Sequence, residues 1–330
     1  MLPLPNVPQL PTISSPQQIT SSTVGSRPPR LPPVPCGLPL SFSHTVFSAC
    51  NVEPDNLPPE ATLKDLSKFI TKDEDYALAR GGFGEVAVKA LQVYSDDQVA
   101  AKMKKNKANK NILPICGYTY GFGPFLAIVS PWAENGNLSV YLEREGAAVT
   151  LVRQFELLRD IIAGLRYLHA NSVIHGDFTG PNVLIHGDGT ACVADFGLSL
   201  MYSEDISASQ ASWTSTLKGN TPWMAPELLV PGREDGPPTR PSEQSDIYSF
   251  GGIMLQVLTN KIPYYYLLNL NNAAIVLCIA RSEKPSRSRY PELPEKYWTF
   301  IEQCWSTDPR DRPSTEEAVM MVGNGFDSLS

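Results

Sequence analysis

The segment HGDFTGPNVLI carries a carboxylate at Asp177 and, five residues on, an amide at Asn182. Further along, ADFG places a second carboxylate at Asp195. Oxygen groups in this pattern suit the transfer of a phosphoryl group. That reaction asks little covalent chemistry of a protein. It needs a carboxylate to orient the accepting hydroxyl. It also needs oxygen ligands that hold magnesium against phosphates. Asp177 fits the first task, and Asn182 and Asp195 fit the second. Neither short motif is specific by itself.

The combination is more specific, because further signals follow in order. WMAPE contains Glu227, SDIYSFG contains Asp246, and NKIPY follows a helical pattern. CWSTDPRDRPS contains Arg312, and upstream SPWAENGNL reads as a hinge. Together these residues resemble the protein kinase family, in particular its tyrosine-kinase-like branch, over roughly residues 62 to 323. The resemblance implies ATP and Mg2+ as cofactors and a protein substrate, with serine or threonine favoured over tyrosine as acceptor. It implies Asp177 as the catalytic-loop base and Asn182 and Asp195 as metal ligands. It also implies a structural Glu227–Arg312 ion pair, with Asp246 pinning the catalytic-loop backbone. The hinge would run from Pro131 to Ala133, with Ser130 as gatekeeper and the Ala133 backbone facing adenine. Gly81, Gly84, Val86 and Lys89 would complete the ATP site, and Lys89 would also serve catalysis.

The chain departs from the family pattern at several points. His175-Gly176-Asp177 lacks the usual arginine, so a phosphate on the activation segment, residues 195 to 227, loses a partner. Thr179 stands where serine/threonine kinases carry lysine. Asn220 stands near the usual threonine before WMAPE. Those two positions normally act together at the acceptor hydroxyl. Ala79 replaces the first glycine of the phosphate loop, although Gly81 and Gly84 keep a close backbone approach open.

The stretch ARGGFGEVAVKAL, residues 79 to 91, raises the sharpest conflict. In the family, the glycine loop joins two antiparallel strands, and a further turn leads to the strand bearing the lysine. Gly84 and Lys89 are too close for strand, turn and strand, and about a dozen residues are missing. Val86 and Lys89, three apart on a regular strand, fall on opposite faces unless a bulge intervenes. The lysine should also pair with a glutamate on the next helix. No glutamate occurs from Ala90 to Trp132. A divergent pseudokinase, an alternative splice product and an incorrect exon assembly each account for these gaps. The expected activity is therefore a phosphotransferase of weak or absent turnover. The alternative is a non-catalytic kinase-fold signalling or scaffold protein.

The elements that position these groups follow from periodicity. ATLKDLSKFI reads as a short helix, DYALA as a strand and DDQVAAKMKK as a helix. NILPICGYTY and FLAIVSPW read as strands. Leu151, Phe155, Leu158, Ile162, Leu165 and His169 mark one face of a long helix. NVLIHGDGTACVADFG reads as a hairpin turning at Gly187 to Gly189. Strands cluster early and helices late, which predicts an α+β, two-lobed fold with a shortened β-rich N-lobe and a complete, mainly helical C-lobe. The expected boundaries are a disordered tail over 1–60 and a kinase domain over 61–330. Within that domain, 61–133 form the N-lobe and hinge and 134–330 the C-lobe.

The chain has 330 residues with a formal net charge of −7. No overall basic field argues for nucleic acid, and the run Lys102 to Lys110 reads as a solvated helix or loop. The six cysteines are scattered, with no metal-ligand or dense disulfide spacing, which suits a reducing compartment. No signal peptide or membrane-spanning run is found, so the expected location is cytoplasmic, without membrane partners. Residues 1 to 60 hold 14 of the 30 prolines. There PPRLPPVP offers a P-x-x-P pattern to a partner's aromatic groove.

Overall fold

The computed structural model describes residues 65–67, 71–72, 79–81, 84–90, 109–120, 127–196, 220–229, 240–268 and 272–329. Among them the glycine-rich segment forms two strands, β2 (Ala79–Gly81) and β3 (Gly84–Ala90). Gly81 pairs with Gly84, which leaves only residues 82 and 83 in the connection. β1 (Thr71–Lys72), β4 (Gly117–Thr119) and β5 (Ala127–Pro131) complete a five-stranded sheet of order β1-β2-β3-β5-β4.

β3 resolves the conflict in the sequence by serving two neighbours at once. Its first residues pair with β2, and Val86 to Ala90 pair antiparallel with β5. The sheet thus closes without the dozen residues that a separate lysine-bearing strand would need. The β3–β5 register runs unbroken, with Val86 opposite Pro131 and Lys89 opposite Ile128. No bulge shifts positions 86 and 89 to the same parity.

Some expectations change here. Residues 61–70 are not helical where they are described. Asp65 makes a parallel bridge to Tyr118, and the Leu66 N–H donates to the Tyr118 carbonyl at 2.8 Å. The edge of β4 offers main-chain groups that need partners, and buried Leu66 lies along it. Of the strand expected over DYALA only Ala79 is described, and it opens β2. Residues 73–78 and the helix expected over DDQVAAKMKK lie outside the described residues.

The later part is helical: α1 (Leu138–Glu145), α2 (Leu151–Ala170), α3 (Glu243–Thr259), α4 (Asn272–Ala280), α5 (Glu295–Cys304) and α6 (Thr315–Asp327). Side-chain oxygens of Asn137, Thr150, Ser242 and Ser314 cap α1, α2, α3 and α6 by accepting main-chain N–H groups, which satisfies otherwise orphaned donors. α2 is central. It packs against α3, α6 and the hairpin of β6 (Val183–Ile185) and β7 (Ala191–Val193). Phe155, Leu158, Ile162, Leu165 and His169 are buried as expected, but Leu151 is exposed in the first turn. Leu157, Ile161 and Leu168 are buried as well, because neighbours cover more than one face of α2. The fold is α+β, with few short strands and a mainly helical remainder. No helix among the described residues is long and apolar enough to cross a membrane.

The β6–β7 hairpin is gripped on both edges. Val193 donates to the Asn111 carbonyl at 2.8 Å, and Leu113 donates to Val193 at 2.9 Å. On the other side Ile185 donates to Gly136 at 2.8 Å and Asn135 donates to Ile185 at 3.1 Å. Gly164 of α2 permits this closeness. A Cβ there would lie 2.5 Å from the Asn111 carbonyl oxygen and 2.7 Å from a Val193 methyl. Replacing glycine by alanine inside a helix normally stabilises it. Gly164→Ala should instead cost about 1–3 kcal/mol through overpacking. Urea unfolding should show a lowered midpoint, and a raised midpoint would mean that α2 does not approach residue 111 this closely.

Candidate active site

Asp246 in the first turn of α3 is 1% exposed. Its oxygens accept the main-chain N–H groups of His175 at 2.8 Å and Gly176 at 2.9 Å. They also face His169 Nε2 at 2.9 Å. A carboxylate only accepts, so Nε2 of His169 carries the proton, and Nδ1 meets the Thr315 hydroxyl at 2.7 Å. The loop after α2 is thereby tied to α3, and the last turn of α2 to both α3 and the start of α6.

His175 passes this order onward. Its Nε2 donates to the Ala194 carbonyl at 2.9 Å, and its Nδ1 then accepts from the Asp177 N–H at 3.3 Å. Gly176 adopts φ +79°, and Asp195 adopts φ +55°. The left-handed region costs an ordinary residue roughly 1–2 kcal/mol but costs glycine nothing. Glycine at 176 therefore has a backbone rationale. Asp195 bears strain of the kind stored at functional sites.

Asp177, Asn182 and Asn220 meet. The Asn182 amide donates to the Asp177 carbonyl at 2.7 Å and to its Oδ2 at 3.0 Å. The Asn220 amide spans the same carboxylate, at 2.8 Å to Oδ1 and 2.7 Å to Oδ2. Two amides thus fix the plane of the Asp177 carboxylate. Asp195 joins through the backbone, because the Ala194 N–H donates to the Asn182 carbonyl at 2.9 Å. Oxygen groups of Asn182 and Asp195 suit a hard cation such as magnesium, which takes one or two protein ligands and completes its shell with phosphates and water.

The other expected residues sit as follows. Gly81 is in β2, and Gly84, Val86 and Lys89 are in β3; their side chains lie outside the described residues. Ser130 in β5 and Ala133 beyond it are buried, and the Ala133 carbonyl accepts from Gly136 at 2.9 Å. Glu227 and Arg312 lie apart from Asp177's hydrogen-bonded cluster. Arg312 is 5% exposed and donates to both Glu227 oxygens, at 2.6 and 2.8 Å. It also donates to the carbonyls of Ser306 and Gln244. Residues 197–219, most of the expected activation segment, lie outside the described residues.

Thiol chemistry is not indicated at the two buried cysteines. Burial, aided by the Asp160 carboxylate, pushes the Cys192 thiol up to about 12, and burial raises Cys304 as well. Neither would form a thiolate nucleophile near neutral pH. The sequence reading did not anticipate the double grip of Asn220, the backbone conformation of Gly176, or Trp223 beside the site. GNTP, directly before the WMAPE motif, was the available signal for Asn220.

A family model described as protein tyrosine and serine/threonine kinase matches residues 76–322. The chain is 27% identical over 248 residues to the serine/threonine-protein kinase STY17 of Arabidopsis thaliana, covering 72% of this chain and 40% of that relative. The chain thus matches about two-fifths of that relative's length.

Losing Arg312 would leave Glu227 and two carbonyls without their donor. Breaking a buried pair typically costs 3–5 kcal/mol, and the partial exposure of Glu227 puts Arg312→Ala near the lower end, about 3 kcal/mol. Arg312→Lys should recover little, since lysine lacks the planar fork. Chemical denaturation of the three proteins tests this, and a neutral Arg312→Ala would contradict it.

Proposed function

Because the chain belongs to the protein tyrosine and serine/threonine kinase family, we propose that it is an ATP-dependent protein phosphotransferase acting slowly on serine or threonine. One observation carries this reading: Asp177 is held by two amides beside the Asn182–Asp195 pair. Asp177 orients the acceptor hydroxyl and receives its proton. Asn182 spends its Nδ2 on Asp177, which commits its Oδ1 to metal ligation. Asp195 supplies the carboxylate ligand. MgATP, when bound, supplies the phosphoryl group and the cation that neutralises its developing charge. The Ala133 backbone receives the adenine, and Gly81, Gly84, Val86 and Lys89 hold the nucleotide from the sheet. The serine/threonine preference is supported by the name of the similar plant kinase.

Slow turnover follows from the sheet side. Lys89 has no glutamate available from residue 90 to 132, and β3 keeps residues 86 and 89 on opposite parity. Losing one preorganised electrostatic contact costs on the order of 100- to 1000-fold in rate, and such groups act as a unit. The same β3 register favours a second reading, a non-catalytic kinase-fold protein that recruits signalling partners. In either reading 61–330 is the kinase domain. Residues 1–60, outside the described residues, offer PPRLPPVP to an aromatic groove. The setting is cytoplasmic, supported by the scattered cysteines and by the four among the described residues that are unbridged.

The test is ADP release with MgATP and a generic protein acceptor, with Asp177→Asn as the blank. Slow release lost in Asp177→Asn is expected, and equal release from both proteins would sink the catalytic reading. MgATP should raise the melting temperature of the wild type but not of Asp195→Ala. A thermal shift without any ADP release would favour the second reading.

A further inference from the structure

The connection from α4 to α5 is unevenly charged. Its segment RSEKPSRSR, residues 281 to 289, holds four cations against one carboxylate, in a chain whose net charge is −7. Two of the four cations are spent. Arg281 faces Glu283 at 3.8 Å. Arg287 faces Glu295 at 3.4 Å, donates to the carbonyls of Tyr290 and Leu293, and covers the Trp298 ring. Lys284 and Arg289 are exposed, and neither meets a carboxylate among the described residues. Arg289 instead lies over the Tyr266 ring, 5.1 Å from its centroid.

These two cations flank Ser286. The Ser286 N–H donates to the Tyr266 hydroxyl at 3.0 Å, and the Ser286 carbonyl accepts the Arg289 N–H at 2.9 Å. The main chain at 286 is thus fixed on both sides, and the second bond brings residues 286 and 289 together across the turn at Arg287–Arg289. Ser286 Oγ lies 2.9 Å from Ser288 Oγ, and both residues are exposed. A phosphate monoester has the chemistry to complete this cluster. It carries close to two negative charges and three acceptor oxygens at neutral pH. Lysine, arginine and hydroxyl groups can all donate to it, and arginine–phosphate bonds are among the stronger ones. Residues 283–286 belong to no helix or strand, so the Ser286 hydroxyl is presented on an irregular surface segment that another enzyme can reach.

We propose that Ser286 is a phosphorylation site, whose phosphate is held by Arg289, Lys284 and the Ser288 hydroxyl. The modifying enzyme is a serine kinase that selects basic residues on both sides of its target. Its MgATP supplies the group. A bond forms between Ser286 Oγ and the γ-phosphorus, the bond from that phosphorus to ADP breaks, and the hydroxyl proton passes to the modifying kinase's base. None of this depends on the chain's own phosphotransferase reading. The experiment has two arms, both on the full chain. In the first, Asp177→Asn, which removes the chain's own transfer, is incubated with MgATP and a purified serine kinase of that class. Phosphopeptides are then mapped by mass spectrometry. Phosphate at Ser286 is expected, lost in Ser286→Ala and retained in Ser288→Ala. A Ser286 left unmodified, or phosphate on Ser288 in its place, would overturn the proposal. In the second arm, phosphoserine is built in at position 286 through an expanded genetic code, and phosphorus NMR follows its second proton. The phosphate should bind that proton about two- to threefold more weakly than in the free peptide of residues 281–290, the worth of an exposed ion pair. Arg289→Gln and Lys284→Gln should each remove part of the difference. Titration identical to that of the free peptide would equally overturn the proposal, because the folded turn would then not be holding the phosphate.

Discussion

The site depends on one buried carboxylate. Asp246 gathers two main-chain N–H groups from the loop after α2 and the His169 N–H from the last turn of α2, 70 to 77 positions earlier in the chain. A carboxylate with 1% exposure is costly unless its lone pairs are used. Here three donors use them, and the loop is held to α3 as a result. His175 then reaches Ala194, and Asp177 comes to rest beside Asn182 and Asn220. Each later contact presupposes the first.

The helical and sheet sides meet different constraints. On the helical side, capped helices pack around α2, and close approach at Gly164 lets the β6–β7 hairpin settle against it. Asn182 precedes β6 and Asp195 follows β7, so a short, gripped hairpin sets their spacing. On the sheet side, β3 serves two neighbours and the sheet closes. The same economy fixes Val86 and Lys89 at opposite parity. Closing the sheet and aiming both residues at one cleft are competing demands, and the register satisfies the first.

Much of this was legible in the sequence. Most of the apolar face of α2, the turn at Gly187 to Gly189 and the strand in FLAIVSPW read correctly, because local periodicity governs them, whereas NILPICGYTY forms strand only over Gly117–Thr119. Asp177, Asn182 and Asp195 stood out by type and order, and the fold brings Asp177 and Asn182 into hydrogen-bond contact. Three features were not legible for physical reasons. The segment at Asp65 reads as helix by its own pattern, but a sheet edge offers it better partners. Gly176 reads as a missing arginine, whereas its backbone angle is a property of the folded loop. Asn220 reads as a displaced threonine, and only tertiary contact brings its amide to both oxygens of Asp177.

The most direct test of this account is amide hydrogen exchange at His175 and Gly176, compared between the wild type and Asp246→Asn. Asparagine offers one acceptor oxygen and an NH2 group that cannot accept, so it cannot serve all three donors. The account predicts strong protection of both amides in the wild type. In Asp246→Asn, protection should fall at one or both while the core of α2 around Ile161 and Leu165 keeps its own. Unchanged protection at both amides would contradict the claim that Asp246 holds the site together.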